Sequence, residues 1–357
     1  MKTPPKPSHP QAVIIGAGIV GLHVANALRE AGHEVYVLEK EPYLAGHASG
    51  RNSGVIHAGI FYEPGSFKEK VCIEGNRLTY EWLKKLDVPH KQCGKWVVPE
   101  GPGQEGELES FYGRIRKLPI PEPLLLPAGE VKRREPRLRE TPAVLVPSTG
   151  IVDAAGYLKT LANYLEKRGV VVILNCRVFE ANGQTLKTTR GEIPFDLAVN
   201  CAGLFSDEVA RLAGLSGYEI RPCRGDYYIL AKEVIGRPVY HLPVTESHGL
   251  GIHLTPTLDG QTLIGPNAFF IEKKDNYLHA SPDARPFESA IAYYLPEFRS
   301  SGISPAYSGN RSKLFIDGRA MPEFTVIRKK NWIHVLGIES PGLTSAPALS
   351  NYIVEGI

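Results

Sequence analysis

Long apolar runs are missing from this sequence, and so are several other marks of specialised proteins. No stretch reaches the roughly 18 apolar residues that a bilayer-spanning helix needs, so no transmembrane anchor is expected; peripheral contact with a membrane is left open. The five cysteines (Cys72, Cys93, Cys176, Cys201 and Cys223) are an odd number in 357 residues, and no two stand at C-x-x-C spacing. A zinc site or a disulfide framework is therefore not expected, and a reducing, cytoplasmic setting fits better. Charge of one sign is lacking too. A net charge of +3 is too little for a nucleic-acid track. The one dense basic run, Lys132-Arg133-Arg134 with Arg137 and Arg139, is broken by Glu130, Glu135 and Glu140 and reads as a solvated face. The proline-rich start, Met1 to Gln11, has no apolar core and does not read as an export signal. What remains is ordinary for a globular protein, 43% apolar and 22% charged, and long enough for two domains.

The first informative words come early. Ala12-Val13-Ile14-Ile15 is a β-branched run of the kind buried in parallel sheets. It breaks into Gly16-Ala17-Gly18-Ile19-Val20-Gly21, a G-x-G-x-x-G. A helical pattern through Leu22, Ala25 and Leu28 ends at Gly32, and a second strand, Glu34 to Leu38, ends on Glu39 and Lys40. Gly16 permits the tight turn, Gly18 lets backbone N–H groups approach a pyrophosphate, and Gly21 allows close helix–strand packing. Glu39 is placed to accept hydrogen bonds from a ribose, which argues against the 2′-phosphate of NADP. Strand, turn, helix and terminal acid together predict a dinucleotide site; the motif alone does not choose between NAD and FAD.

The continuation favours FAD. A simple NAD domain would add further βαβ units, whereas this chain enters a glycine- and serine-rich stretch from Ala45 through Ser49, Arg51, Asn52, Ser53 and Gly54 to Tyr62. Small residues of this kind let backbone approach a large flat ligand. His47 and Arg51 fit cofactor phosphates or local structure. Asp153 precedes a helix through Leu165, and the strands Val170 to Leu174 and Arg177-Val178-Phe179 follow. Asp196 to Cys201 runs into Ala202-Gly203, which can offer N–H groups to phosphate or ribose. Trp332 to Leu336 leads into Gly337-Ile338-Glu339-Ser340-Pro341-Gly342-Leu343-Thr344 and a helix from about Ala346, whose positive end can stabilise charge on reduced flavin.

These words, in this order, resemble the D-amino-acid oxidase superfamily of FAD enzymes and, within it, the L-2-hydroxyglutarate dehydrogenase/oxidase family. The specific ones are Arg51 to Tyr62 and Gly337 to Thr344; Pro147 to Asp153, Arg224-Gly225-Asp226-Tyr227-Tyr228 and Gly251 to Pro256 lie between them. The resemblance covers nearly the whole chain. It implies noncovalent FAD, a small carboxylate substrate, and a quinone or oxygen as electron acceptor. It also implies an α/β fold with a discontinuous Rossmann-like FAD-binding domain (residues 1–85, 147–218 and 325–357) and a substrate domain on an antiparallel sheet (86–146 and 219–324). The chain departs from the family in being trimmed between Pro99 and Val146. Tyr307 to Leu314 resembles the family's Gly-Ile-Arg-Pro-Lys segment but keeps only Arg311 and Lys313.

In the second domain, helices are expected over Leu108 to Leu118, Ala128 to Glu135 and Phe287 to Leu295. Strands are expected over Asp226 to Leu230, Leu250 to Pro256 and Gln261 to Ile264, with a hairpin turn at Leu258 to Gln261. Oxidising a 2-hydroxy acid needs a base for the hydroxyl proton and cationic partners for carboxylates. His57 and His253 are the candidate bases, and the residue pattern does not separate them. Arg311 and Lys313, at alternate positions, can face one carboxylate if extended; Arg224 and Tyr228 are weaker candidates. Nothing in these residues distinguishes oxidation of C–O from C–N, so an amine or amino-acid oxidase stays open. An RNA-modifying flavoprotein or a non-catalytic flavin carrier is more remote.

Overall fold

In the computed structural model, residues 10–101, 103–242, 251–279, 281–296 and 302–357 are described. The opening β-branched run forms the strand Gln11–Ile15, buried from Ala12 onward. It pairs in parallel with Glu34–Leu38 on one side and Leu197–Asn200 on the other. Val171–Ile173 extends the first flank and Trp332–Leu336 the second, both parallel; Thr325–Lys329 closes that edge antiparallel. Strands covered on both faces need apolar side chains at every position, which is why these runs do not alternate. One face is covered by the helix Ile19–Glu30, burying Leu22, Val24, Ala25 and Leu28, and by Ala154–Glu166, burying Leu158, Leu161 and Leu165. Asp153 caps the latter helix, its side chain accepting the N–H of Gly156 at 2.9 Å.

The helix Phe67–Lys85 is not anticipated by the pattern analysis. Its signal is a cap rather than a stripe. Ser66 Oγ accepts the N–H of Glu69 at 3.2 Å, and Ser-x-x-Glu is capping-box spacing. This helix crosses the C-terminal helix Gly342–Val354 at Gly75, where a β-carbon would lie 2.4 Å from the Thr344 carbonyl oxygen. Thr79 donates its hydroxyl to the same oxygen at 3.0 Å. The crossing fixes where the C-terminal helix begins. It begins at Gly342, directly after Pro341, rather than near Ala346.

The second large sheet has ten strands among the described residues. Its spine is the long antiparallel pair Tyr218–Leu230 and Ile303–Ile316. Thr262–Gly265 and His253–Pro256 continue it, joined by the expected turn; Leu250 lies outside the described residues. The sheet is not wholly antiparallel, as the sequence reading supposed. Val239–His241 runs parallel to Lys95–Val98, because a long excursion separates these strands in sequence and a hairpin is not required of them. The trimmed segment supplies helices Glu105–Ile115 and Ala128–Arg134, close to expectation. Arg285–Tyr294 packs Phe287, Ile291 and Tyr294 into the sheet's own core. No helix among the described residues is long and apolar enough to cross a membrane.

Candidate active site

A cavity of about 1170 Å³ lies between the two large sheets. Its first end is made mainly of backbone. Gly16 has φ +108, and a β-carbon there would lie 2.5 Å from the Cys201 carbonyl oxygen. The turn thus brings the edge of the Ile19–Glu30 helix against the ends of two parallel strands. The helix presents its N-terminus to the cavity; Gly18 brings no capping side chain, the Ile19 N–H is taken by Ser49 Oγ at 3.0 Å, and the next N–H groups of the first turn favour an anion. Glu39 is held rigidly. Its Oε2 accepts the N–H of Ala17 at 3.0 Å and its Oε1 that of Glu41 at 3.0 Å, leaving lone pairs on both oxygens for hydroxyl donors.

The glycine-rich loop folds on itself before it can touch a ligand. Asn52 donates to the carbonyls of Ala48 and Ser49, each at 2.9 Å, and accepts the N–H of Gly54 at 2.8 Å. Its part is to shape the loop. Arg51 bonds Gly46 O at 2.9 Å and Ser308 O at 3.3 Å and lies over the Tyr277 ring, strapping the loop to the second sheet. His47 bridges Glu41 and Tyr277 at 2.9 and 2.6 Å. Ser49 and Ser53, Lys40, Val178, and Ala202-Gly203 all line the cavity, as do Ile19 and Val20. Gly21, Gly54, Gly337 and Thr344 do not; they are packing positions behind the wall. Gly21, for instance, would drive a β-carbon to 2.0 Å from the Gly16 carbonyl oxygen.

The second end is made of side chains from distant parts of the chain. His57 follows the short strand Val55–Ile56; its N–H donates to Thr344 Oγ1 at 2.9 Å, and its Nε2 lies 3.3 Å from Ser340 Oγ. Burial, with the nearby Lys95 charge, lowers its pKa to about 3. His253 stacks on Tyr240 with centroids 3.8 Å apart. Its Nδ1 lies 2.9 Å from the Gly251 carbonyl, which requires the proton there and leaves Nε2 a lone pair with no partner among the described residues. Burial holds this imidazole neutral also.

Arg311 and Lys313 lie on the strand Ile303–Ile316, and both face the cavity. Lys313 Nζ is already 2.8 Å from Glu339 Oε2, and Lys68 Nζ is 3.1 Å from Glu339 Oε1. Arg311 contacts Asn267 O at a long 3.4 Å and also hydrogen-bonds with the Cys223 side chain. The Glu339 carboxyl, though buried, is held below its ordinary value by these cations. Arg224 and Tyr228 belong elsewhere. Arg224 is buried beside Asp226 at 3.3 Å and donates to the carbonyl of Leu278, while the Tyr228 hydroxyl donates to Ser281 O at 2.7 Å. Neither lines the cavity, because alternate residues of their strand, Gly225 and Tyr227, take that face. Lys68, Glu339, Ser340 and Tyr240 were not singled out as site residues. Glu339 and Ser340 could have been found within the word Gly337 to Thr344, whereas a lone lysine such as Lys68 carries no pattern.

The comparisons with known proteins agree with this geometry. A profile of the family described as "FAD dependent oxidoreductase" matches residues 11–355. The chain belongs to that family. It is 34% identical to human mitochondrial L-2-hydroxyglutarate dehydrogenase, over 84% of this chain and 68% of the relative. It is 30% identical to the Escherichia coli K12 L-2-hydroxyglutarate dehydrogenase, over 97% and 92%. Among solved structures, FAD-bound L-alpha-glycerophosphate oxidase from Mycoplasma pneumoniae superposes with a TM-score of 0.85 at 23% identity, covering 97% of this chain and 94% of that one. Bacillus cereus glycine oxidase superposes at 0.82 and 18% identity, covering 96% of each. These two share the fold. The protein is an FAD-dependent oxidoreductase, and the helix N-termini at the cavity, the glycine cradle and the acid at Glu39 suit that cofactor.

Proposed function

We propose that this FAD-dependent oxidoreductase converts L-2-hydroxyglutarate to 2-oxoglutarate, with its FAD bound noncovalently. The observation that carries the reading is charge count. Arg311, Lys313 and Lys68 set three cations against the one carboxylate of Glu339, leaving two positive charges beside two neutral imidazoles. A dicarboxylate complements that surplus, and a neutral amine substrate does not. The names of the curated relatives point the same way.

FAD, when bound, supplies the two-electron acceptor for the hydrogen on C2. The chain's own residues do the rest. The Gly16-to-Gly21 turn and the Gly342–Val354 helix end hold the cofactor and offer positive potential to it. Arg311, which has no carboxylate partner among the described residues, takes one substrate carboxylate, and Lys313 and Lys68 attract the other while Glu339 holds their ammonium groups in place. An imidazole of His57 or His253 accepts the hydroxyl proton at a ring nitrogen; both are unprotonated at neutral pH and so ready to act. The aromatic rings of Phe61, Tyr62, Tyr227 and Tyr240 line the reacting end.

The test is anaerobic titration of the purified yellow enzyme with L-2-hydroxyglutarate. Stoichiometric bleaching with one equivalent of 2-oxoglutarate is expected, and reoxidation with oxygen and with a quinone analogue then identifies the acceptor. Bleaching by glycine, sarcosine or a D-amino acid, with none by the hydroxy acid, would overturn the reading.

A further inference from the structure

Lys95 lies at the start of the strand Lys95–Val98 and is fully buried. Its Nζ has no hydrogen-bond partner among the described residues. It rests instead against two aromatic rings, 4.2 Å from the centroid of Phe61 and 4.6 Å from that of Tyr240. Those rings are themselves stacked at 15°, 6.0 Å apart, and both line the cavity that Lys95 does not itself reach. On its far face Tyr240 carries the stacked imidazole of His253. A lysine buried without a carboxylate is costly to the fold, so its retention at this place calls for an explanation.

We propose that Lys95 is a positioning residue whose ammonium, held behind the Phe61–Tyr240 wall, sets the proton affinity of the imidazoles in front of that wall. The inference rests on the proposed role of His57 and His253 as the base pair. The surroundings permit the coupling from every side. From the helix Phe67–Lys85 the facing group is Cys72, whose thiol burial pushes up to about 12, so it brings no charge at neutral pH. From the strand Val239–His241 they are Tyr240, held neutral by burial, and His241, whose charge when protonated also makes His253 harder to protonate. From the strand His253–Pro256 and the loop after Val55–Ile56 come the two imidazoles, each of which the Lys95 charge makes harder to protonate. Tyr62, half-buried and with its pKa raised, lies near Cys72 and Tyr240, and the Glu339 carboxylate is engaged with Lys68 and Lys313. Among the described residues no anion pairs with the ammonium, so its field acts on the imidazoles across the Phe61 and Tyr240 rings.

Burial lowers the Lys95 pKa to about 7, while His57 sits near 3. The lysine is thus a group that titrates near the base around neutral pH, and the Lys95 variants separate its effect from that of His241. As Lys95 loses its proton, the imidazole gains proton affinity and becomes a stronger acceptor for the substrate hydroxyl proton. In the wild-type holoenzyme the rate of flavin bleaching by L-2-hydroxyglutarate should rise through about pH 7. Lys95→Arg keeps the cation at all pH, and its rate should stay at the low acid-side level, about tenfold or more below wild type at pH 8.5. Lys95→Met removes the cation, and its rate should stay high down to pH 6. Histidine NMR of the oxidised holoenzyme, read without turnover, should show the imidazole pKa moving up by about one unit or more in Lys95→Met. A general loss of stability would lower the rates at all pH values and leave the imidazole titrations where they are. If Lys95→Met does not fold, Lys95→Arg alone decides. A rise through pH 7 that persists in the arginine variant, or unchanged imidazole titrations in a folded methionine variant, overturns the proposal. Bleaching by an amine but not by the hydroxy acid would instead fail the substrate reading, and the NMR comparison would still stand on its own.

Discussion

The two ends of the cavity are built by different means. The nucleotide end is backbone, from one stretch of sequence: strand, turn and helix between Gln11 and Glu39, with the acid locked by N–H groups of Ala17 and Glu41. The reacting end is side chains, from residues as far apart as His57, His253 and Glu339, brought together by sheet register and by one helix crossing. A backbone site is set by where side chains are absent, so it tolerates change poorly but needs few residues. A side-chain site can be retuned one residue at a time. That difference fits a fold shared with glycine oxidase and glycerophosphate oxidase at low identity.

Breaking the backbone end should have the largest effect. Gly16→Val places a side chain against the Cys201 carbonyl at a φ that only glycine takes easily. The variant should purify colourless, with flavin affinity down by about 100-fold or more, as read from the visible absorbance relative to protein. Full flavin occupancy would mean that the cofactor does not rest on this turn.

The reacting end should yield in graded steps. Replacing His57 or His253 with Ala separates their roles. The proton acceptor should lose about 10²–10⁴-fold in bleaching rate with flavin still bound, and the other should lose less. If neither loss exceeds tenfold, the proton goes elsewhere. Arg311→Met removes a charge-assisted contact of about 1.5–3 kcal/mol and should raise the KM for the dicarboxylate about 10–100-fold while changing kcat less. An unchanged KM would detach the arginine from substrate.

The smallest effect concerns stability. His23 is 1% exposed, shares a hydrogen bond of 2.7 Å with Tyr157, and has its pKa lowered to about 3 by burial. Its folded value lies below the unfolded one, so the unfolded chain binds more protons as pH falls below about 6.5. Stability present above that pH is lost on the way down towards 3. His57, and His334 lowered to about 4, act in the same sense. The melting temperature should fall by a few degrees between pH 7.5 and 5, and His23→Gln should flatten the fall.

Legibility follows the same division. The Gln11-to-Glu39 unit could be read because backbone demands, a tight turn and a close approach, translate into glycine at fixed spacing. The strands Trp332–Leu336 and Leu197–Asn200 could be read because burial on both faces leaves mostly apolar runs, broken only by the buried His334 and Asn200. The pairing of Arg311 with Lys313 was visible in their alternation. Their partners Glu339 and Lys68 were not, since contacts between residues 26 or more positions apart depend on register that no local pattern carries. Arg224 and Tyr228 misled for a related reason. A strand residue's face is decided by its neighbours, and this strand turns Gly225 and Tyr227 inward instead. Lys95 left no trace at all, because nothing about a single lysine announces that it is buried.

On the proposed function, the two surplus positive charges at the reacting end select a dicarboxylate. The direct measurement is the anaerobic bleaching rate at subsaturating substrate for L-2-hydroxyglutarate against L-2-hydroxybutyrate, which has the same skeleton without the distal carboxylate. The charge count predicts that losing that carboxylate costs about 100-fold or more, most of it recovered as a smaller ratio in a Lys68→Met, Lys313→Met double variant. Equal rates for the two acids in the wild-type enzyme would contradict it.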